Sequence, residues 1–285
     1  MRWRQGRRST NVEDRRGRGP GRRSAGGPMK IGGGAGILLI IAALFFGQDI
    51  TGMLGGGSQV APPVGGTTTQ LDPNDEGAQF ISTILADTED VWTKLFQSAG
   101  QTYQVPKLVM FEDGVNSACG FTSSAAGPFY CPGDSKVYID LSFFREMQRM
   151  QAIGDFAQAY VLAHEVGHHV QNLLGVSMAV QSKQRQVSKV QANRLSVLTE
   201  LQADCYAGVW AHHAHKDRAL LEPGDLEEGM NAASKIGDDA LMASAGRRIH
   251  PDAFTHGSSK QRQQWLYIGL ESGDPNSCDT FGAAS

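Results

Sequence analysis

The segment His164-Glu165-Val166-Gly167-His168 sets two imidazoles four residues apart with a carboxylate beside the first. On a helix, positions i and i+4 share a face, so the two rings converge on a point where a metal ion can sit, and Glu165 lies near that point without being a ligand. The chemistry this allows is metal-assisted hydrolysis: the metal polarises a carbonyl and acidifies a water, and the carboxylate takes the water's proton. A catalytic zinc site also needs a third protein ligand and an open position. Downstream, Thr199-Glu200-Leu201-Gln202-Ala203-Asp204 offers two carboxylates on one helical face. Glu200 can complete a His2Glu set for one Zn2+ per chain, and Asp204, a turn later, can accept the free ring N–H of a ligating histidine and fix its tautomer.

These residues need helices to carry them, and the patterning supplies them. Residues 155–175 read as a buried helix through Phe156-Ala157-Gln158-Ala159-Tyr160-Val161-Leu162-Ala163, with Asp155 at the N-cap, Gln158 three residues on and Gly175 as the stop. A second helix spans about 178–213 and carries Glu200 and Asp204; a third starts at Asp225 and a fourth at Ser258, each with Glu or Gln three residues later. Earlier, Phe80, Ile81, Ile84, Leu85, Thr88, Val91, Trp92, Leu95 and Phe96 recur at helical spacing and predict an amphipathic helix over 76–98. Residues 106–111 and 136–141 are short β-branched and aromatic runs that read as strands, enough for a small sheet. Tyr138 and Asp140 alternate on the second run, which reads first as a core strand and second as an edge that an extended peptide could join. The fold class is therefore α+β, mostly α, in one domain over 76–285.

With those elements in place the chain resembles the YpfJ-like neutral zinc metallopeptidase family of bacteria. The stretches that carry the resemblance are RRSTNVEDRRG, GPFYCPGDSKVYIDLSFF, GDFAQAYVLAHEVGHHVQ, ELQADCYAGVW, FTHGSSKQRQQW and the terminal CDTF. HExxH followed by ExxxD is the gluzincin arrangement. The resemblance implies a zincin-like catalytic domain on an amino-terminal anchor, with His164, His168 and Glu200 as ligands and Glu165 as general base. It implies no particular substrate. A second resemblance is shorter: Thr255-His256-Gly257-Ser258 with Arg262 six residues after the histidine is similar to a segment of membrane zinc proteases that cleave prenylated proteins, where the His and Arg lie near the reacting carbonyl. It implies that His256 and Arg262 face the substrate, where a donor aimed at the oxyanion stabilises the transition state.

Two further histidine features carry less. His169 is turned about 100 degrees from His168 on the helix and cannot join the same site, which leaves it to packing or the surface. His212, His213 and His215 cluster at a helix end, where cations suit the dipole.

Charge and composition frame the rest. Of the 35 glycines, 17 fall in the first 66 residues. Residues 1–30 hold nine Arg and one Lys against Glu13 and Asp14, a net of +8, so the remaining residues carry −11 of the total of −3. An acidic body with its basic residues confined to a tail argues against nucleic-acid binding. Between Lys30 and Asp49 lie 18 uncharged residues with an aliphatic and aromatic centre from Ile37 to Phe46. That length is at the lower limit of a spanning helix, and the Arg-rich flank before it obeys the positive-inside bias. The expected layout is a basic cytoplasmic tail (1–30), one transmembrane anchor (31–50), a Gly/Pro/Thr-rich linker (51–75) and an exported domain on the periplasmic or extracellular side of the inner membrane. In an oxidising space four cysteines without a CxxC read as two disulfides, Cys119 with Cys131 across a short loop and Cys205 with Cys278 by elimination. The reading is a membrane-anchored zinc peptidase acting on a protein or peptide. Its competitors are a non-catalytic envelope protein with structural zinc and a hydrolase of cell-wall amides.

Overall fold

The 76–98 periodicity is realised as α1 (Glu76–Ser98), which Asp75 caps by accepting from the Ala78 N–H and which buries Phe80, Ile81, Ile84, Leu85, Val91 and Trp92. The computed structural model describes residues 1–17 and 71–284; the expected anchor at 31–50 and most of the linker lie outside the described residues. Among the described residues no helix is long and apolar enough to cross a membrane.

The strands are β1 (Val12–Asp14), β2 (Lys107–Phe111), β3 (Gly114–Ser117), β4 (Gly120–Ser123), β5 (Phe129–Cys131) and β6 (Lys136–Asp140). One sheet has the order β1-β2-β6-β5, with β1, β2 and β6 parallel and β5 antiparallel to β6; β3 and β4 form a separate hairpin. Leu108, Met110, Val137 and Ile139 send their side chains into the main core, while Val109, Phe111 and Tyr138 face a smaller cluster that includes Val115 and Cys131. Both faces of the central strands are covered, which is why β2 reads as a continuous apolar run instead of an alternating one. Since β6 lies between β2 and β5, both its edges are taken, and the idea that a peptide pairs with Tyr138 and Asp140 falls. Asp140 instead accepts from the Asp113 and Ser142 N–H groups.

The remaining helices are α2 (Phe143–Arg149), α3 (Asp155–Leu173), α4 (Val176–Gln184), α5 (Lys189–Arg218), α6 (Asp225–Lys235), α7 (Asp238–Ser244) and α8 (Ser259–Ser272). The single helix expected at 178–213 is two, because Ser188 starts α5 afresh with a capping box to Gln191. The box expected at Ser258 is present at the head of α8. The one expected at Asp155 is replaced by a tertiary partner: Gly154 occupies the cap position and the Glu228 carboxylate of α6 accepts from the Phe156 N–H.

Residues 1–17 correct the expectation of a separate tail. Trp3 is buried and meets Phe80 edge to face at 5.2 Å, Val12 is buried, and β1 adds an edge strand to the sheet. The arginines that suggested a membrane flank are matched to body carboxylates: Arg4 to Glu76, Arg7 to Glu89 and Asp90, Arg16 to Asp75. Glu13 runs the other way and pairs with Lys136 at 2.9 Å. A basic segment against an acidic body is electrostatic complementarity within one fold, so for these arginines the positive-inside argument loses its footing.

Candidate metal centre and active site

Helix α3 delivers His164, Glu165 and His168, and α5 crosses it closely enough to bring Glu200 and Asp204 against them. The crossing depends on Gly167: a Cβ there would lie 2.9 Å from the Ala203 carbonyl oxygen. Helix α8 is seated against α5 in the same manner, since a Cβ on Gly269 would collide with the Cys205 carbonyl oxygen. Two such contacts draw three helices around one point.

At that point His164 Nε2 is 3.1 Å from one Glu200 oxygen and His168 Nε2 is 3.4 Å from the other. The three ligand atoms lie within 4.8 Å of one another, and His164 and Glu165 are buried. Bonds of about 2.0–2.1 Å to a tetrahedral zinc imply donor separations of about 3.4 Å, so this donor set fits such an ion. The residues singled out as ligands by spacing are thus brought together by the fold.

Each imidazole is held from behind. His164 Nδ1 is 2.8 Å from Asp204 Oδ1. Asp204 also accepts from the Tyr160 hydroxyl at 2.6 Å and from Arg262 Nη2 and Nε at 2.8 and 2.9 Å. Burial alone would raise the Asp204 carboxyl, but the charges of Arg262 and His164 and their hydrogen bonds hold it down, to about 2. Burial would lower His164, and Asp204 and Glu200 together raise it. His168 is raised against the same burial penalty by Glu200. Glu200, which burial pushes up, is held well below the usual carboxylate range by His168 and then His256, with hydrogen bonds from His164 and His168.

Arg262 therefore does not face a substrate. Its side chain is 3% exposed and its guanidinium lies behind His164, where the planar fork matches a carboxylate that could not be buried without a counter-ion. His256 is placed differently, near Glu200. The carboxylate of Asp238, at the head of α7, accepts from the backbone N–H groups of Thr255, His256 and Gly257 at 2.7, 2.7 and 2.9 Å, and its other oxygen is 3.3 Å from His256 Nδ1. Helix α7 went unseen in the sequence, so Asp238 did too. Tyr160 and Gln171 were also missed. The available signal was spacing, since 160, 164 and 168 share a face and Gln171 is an amide three residues past His168 on a largely apolar helix.

The other histidines pack. His169 is buried beside Tyr103 and Tyr130, its Nε2 donating to the Gln104 carbonyl. His212 and His213 reach the Leu270 and Gly273 carbonyls at the end of α8. Both expected disulfides, Cys119–Cys131 and Cys205–Cys278, are formed.

A mostly helical α+β domain with a small sheet and an HExxH helix facing a Glu-bearing helix defines a zincin-like class. The family model described as "Putative neutral zinc metallopeptidase" matches residues 1–281, and the chain belongs to that family. Among its relatives, the Escherichia coli K12 protein YpfJ is 50% identical over 291 residues, covering 99% of each chain. A Mycobacterium bovis protein, Mb2605, is 43% identical over 206 residues, covering 68% of this chain and 67% of its own. Both are described as uncharacterized. No solved structure matches.

Proposed function

We propose that this chain is a zinc-dependent peptidase with His164, His168 and Glu200 as ligands and Glu165 as general base. The observation that carries the reading is the convergence of the three donors beside a buried carboxylate that is not one of them, since a structural zinc site normally uses four protein ligands and needs no adjacent base. When bound, zinc supplies Lewis-acid polarisation of the scissile carbonyl and lowers the pKa of a water at the open position. Glu165 takes the proton from the attacking water and passes it to the leaving amine. His256, tethered through Nδ1 to Asp238, donates to the developing oxyanion. Arg262 and Tyr160 keep Asp204 in place, and Asp204 in turn keeps His164 turned to the metal. An extended substrate is received along β5, an outer strand of the sheet that reaches α3 through the Tyr130 hydroxyl and the Asn172 amide.

For location, the reading places residues 1–17 and the domain together on the oxidising, exported side, in keeping with two disulfides. One membrane crossing between residues 17 and 71 would part β1 from β2, so the reading keeps the amino terminus and the domain on the same side. Labelling of cysteines introduced at Gln5 and Ser272 in intact cells should succeed at both positions; protection of Gln5 alone restores the single-pass layout.

The function is tested with Glu165→Gln. Fold and zinc content should stay as in the wild type while peptide cleavage falls by about 10²- to 10⁴-fold. Cleavage at the wild-type rate would remove Glu165 from catalysis.

A further inference from the structure

We propose that Gln171 is a positioning residue that fixes the tautomer of His168, acting as the neutral counterpart of Asp204; the inference rests on His168 being a metal ligand. Gln171 is 0% exposed. Its Oε1 is 2.8 Å from His168 Nδ1, and its Nε2 donates to the Thr199 carbonyl at 2.7 Å and to Gln202 Oε1 at 3.0 Å. Gln202 Nε2 then donates to the Cys278 carbonyl at 3.0 Å.

The direction of this chain of bonds is forced from its outer end. A backbone carbonyl only accepts, so the Cys278 oxygen requires the Gln202 amide nitrogen to face it, which turns Gln202 Oε1 towards Gln171. The Thr199 carbonyl imposes the same orientation on Gln171 independently, because a flipped amide would set two acceptors 2.7 Å apart. Gln171 Oε1 is then an acceptor with one partner left, His168 Nδ1, which must carry the hydrogen. In the metal-loaded protein that hydrogen on Nδ1 leaves the Nε2 lone pair for the ion that His168 would share with Glu200. No other residue in this relay titrates, so the tautomer is set by amide geometry without a charge.

The relay ends on a covalent staple. Cys278 is disulfide-bonded to Cys205 of α5, and Thr280 Oγ1 donates to the Leu198 carbonyl at 2.7 Å, so the carboxyl-terminal segment is fixed to the helix that bears Glu200. Gln202 therefore meets a carbonyl that does not wander.

The test measures zinc affinity by competition with a chromophoric chelator on wild type, Gln171→Met and Gln171→Glu. Methionine keeps the volume and removes the acceptor, so zinc affinity should fall by about 10- to 100-fold, with a changed visible spectrum of the Co2+-substituted protein. A protonated glutamic acid can donate to Thr199 and accept from His168, so Gln171→Glu should return affinity to within a few-fold of wild type. Unchanged affinity and spectrum in Gln171→Met overturn the proposal, and so does an equal loss in both variants, which would assign the effect to packing. Should Gln171→Met fail to fold, long-range 1H–15N spectra of the zinc-loaded wild type decide: a proton on His168 Nδ1 is expected, and a proton on Nε2 overturns it. Zinc retained at full affinity by His168→Ala would instead show that the ligand assignment is wrong.

Discussion

His164 and His168 stand one turn apart on the same helix and face the same carboxylate, yet the structure holds them by different means. Behind His164 is a charged cluster, Asp204 with Arg262 and Tyr160, in which the carboxylate accepts from every neighbour. Behind His168 is a run of amides ending on a backbone carbonyl. A buried ion pair is costly to break and gives the ligand a more basic ring; an amide relay costs less and imposes direction alone. One helix thus uses charge on one side and hydrogen-bond polarity on the other, which avoids a second anion beside Glu165 and Glu200.

The contrast can be broken most severely at Arg262. Arg262→Met leaves Asp204 buried beside His164 without its guanidinium, and thermal or urea unfolding of the metal-free protein should show a loss of about 3–5 kcal/mol. A loss below about 1 kcal/mol would mean that the charged side is no more demanding than the amide side. On the amide side the heaviest cost lies in the staple: replacing both Cys205 and Cys278 by serine frees a span of 73 residues and should lower stability by about 2–5 kcal/mol in the same assay.

Metal affinity sharpens the comparison further. Asp204→Asn should weaken zinc binding by about 10- to 100-fold, about 1.4–2.7 kcal/mol. Combined with Gln171→Met its effect should add, because the two supports share no atoms; marked non-additivity in the double variant would show that they act as one network.

The smallest effect is a control that touches neither histidine. Burial would raise the Glu13 carboxyl, but Lys136 and Arg15 lower it on balance. A lowered folded pKa contributes stability that is present above the ordinary carboxylate value of about 4.3 and is lost as pH falls through the folded value. The stability difference between wild type and Glu13→Gln should therefore shrink as pH drops from 6 to 3, with zinc affinity at neutral pH unaltered. A difference independent of pH would show that the variant acts through shape.

Much of the site was legible because its grammar is local. HExxH works through helical spacing, and a carboxylate four residues before another on a later helix declares a shared face, so His164, Glu165, His168, Glu200 and Asp204 could be assembled on paper. Helix α1 was legible for the same reason, its apolar residues recurring with the period of the structure they form. Arg262 was misplaced because a motif fixes separation along the chain and says nothing of which neighbouring helix its side chain will meet. Strands β1 and β5 are three residues each, too short for a period to register, and their stability comes from partners distant in sequence. Glu228 substitutes for a local cap on α3, a relation no window around residue 155 could contain.

The sequence by itself determined the residue types that can bind a metal and move a proton and the helical segments that present them, since periodicity and capping are encoded within a turn or two. Only the tertiary structure decided that residues 1–17 belong to the domain, that Arg262 serves Asp204, that Gln171 serves His168 and that Asp238 holds His256. Those are choices of partner across more than 15 residues of chain, except for the three-residue step to Gln171, which became meaningful once Thr199, Gln202 and Cys278 fixed the way its amide points. Partner choice depends on which surfaces close packing brings together, and here glycines at 167 and 269 let the helices approach until buried polar groups had to find one another.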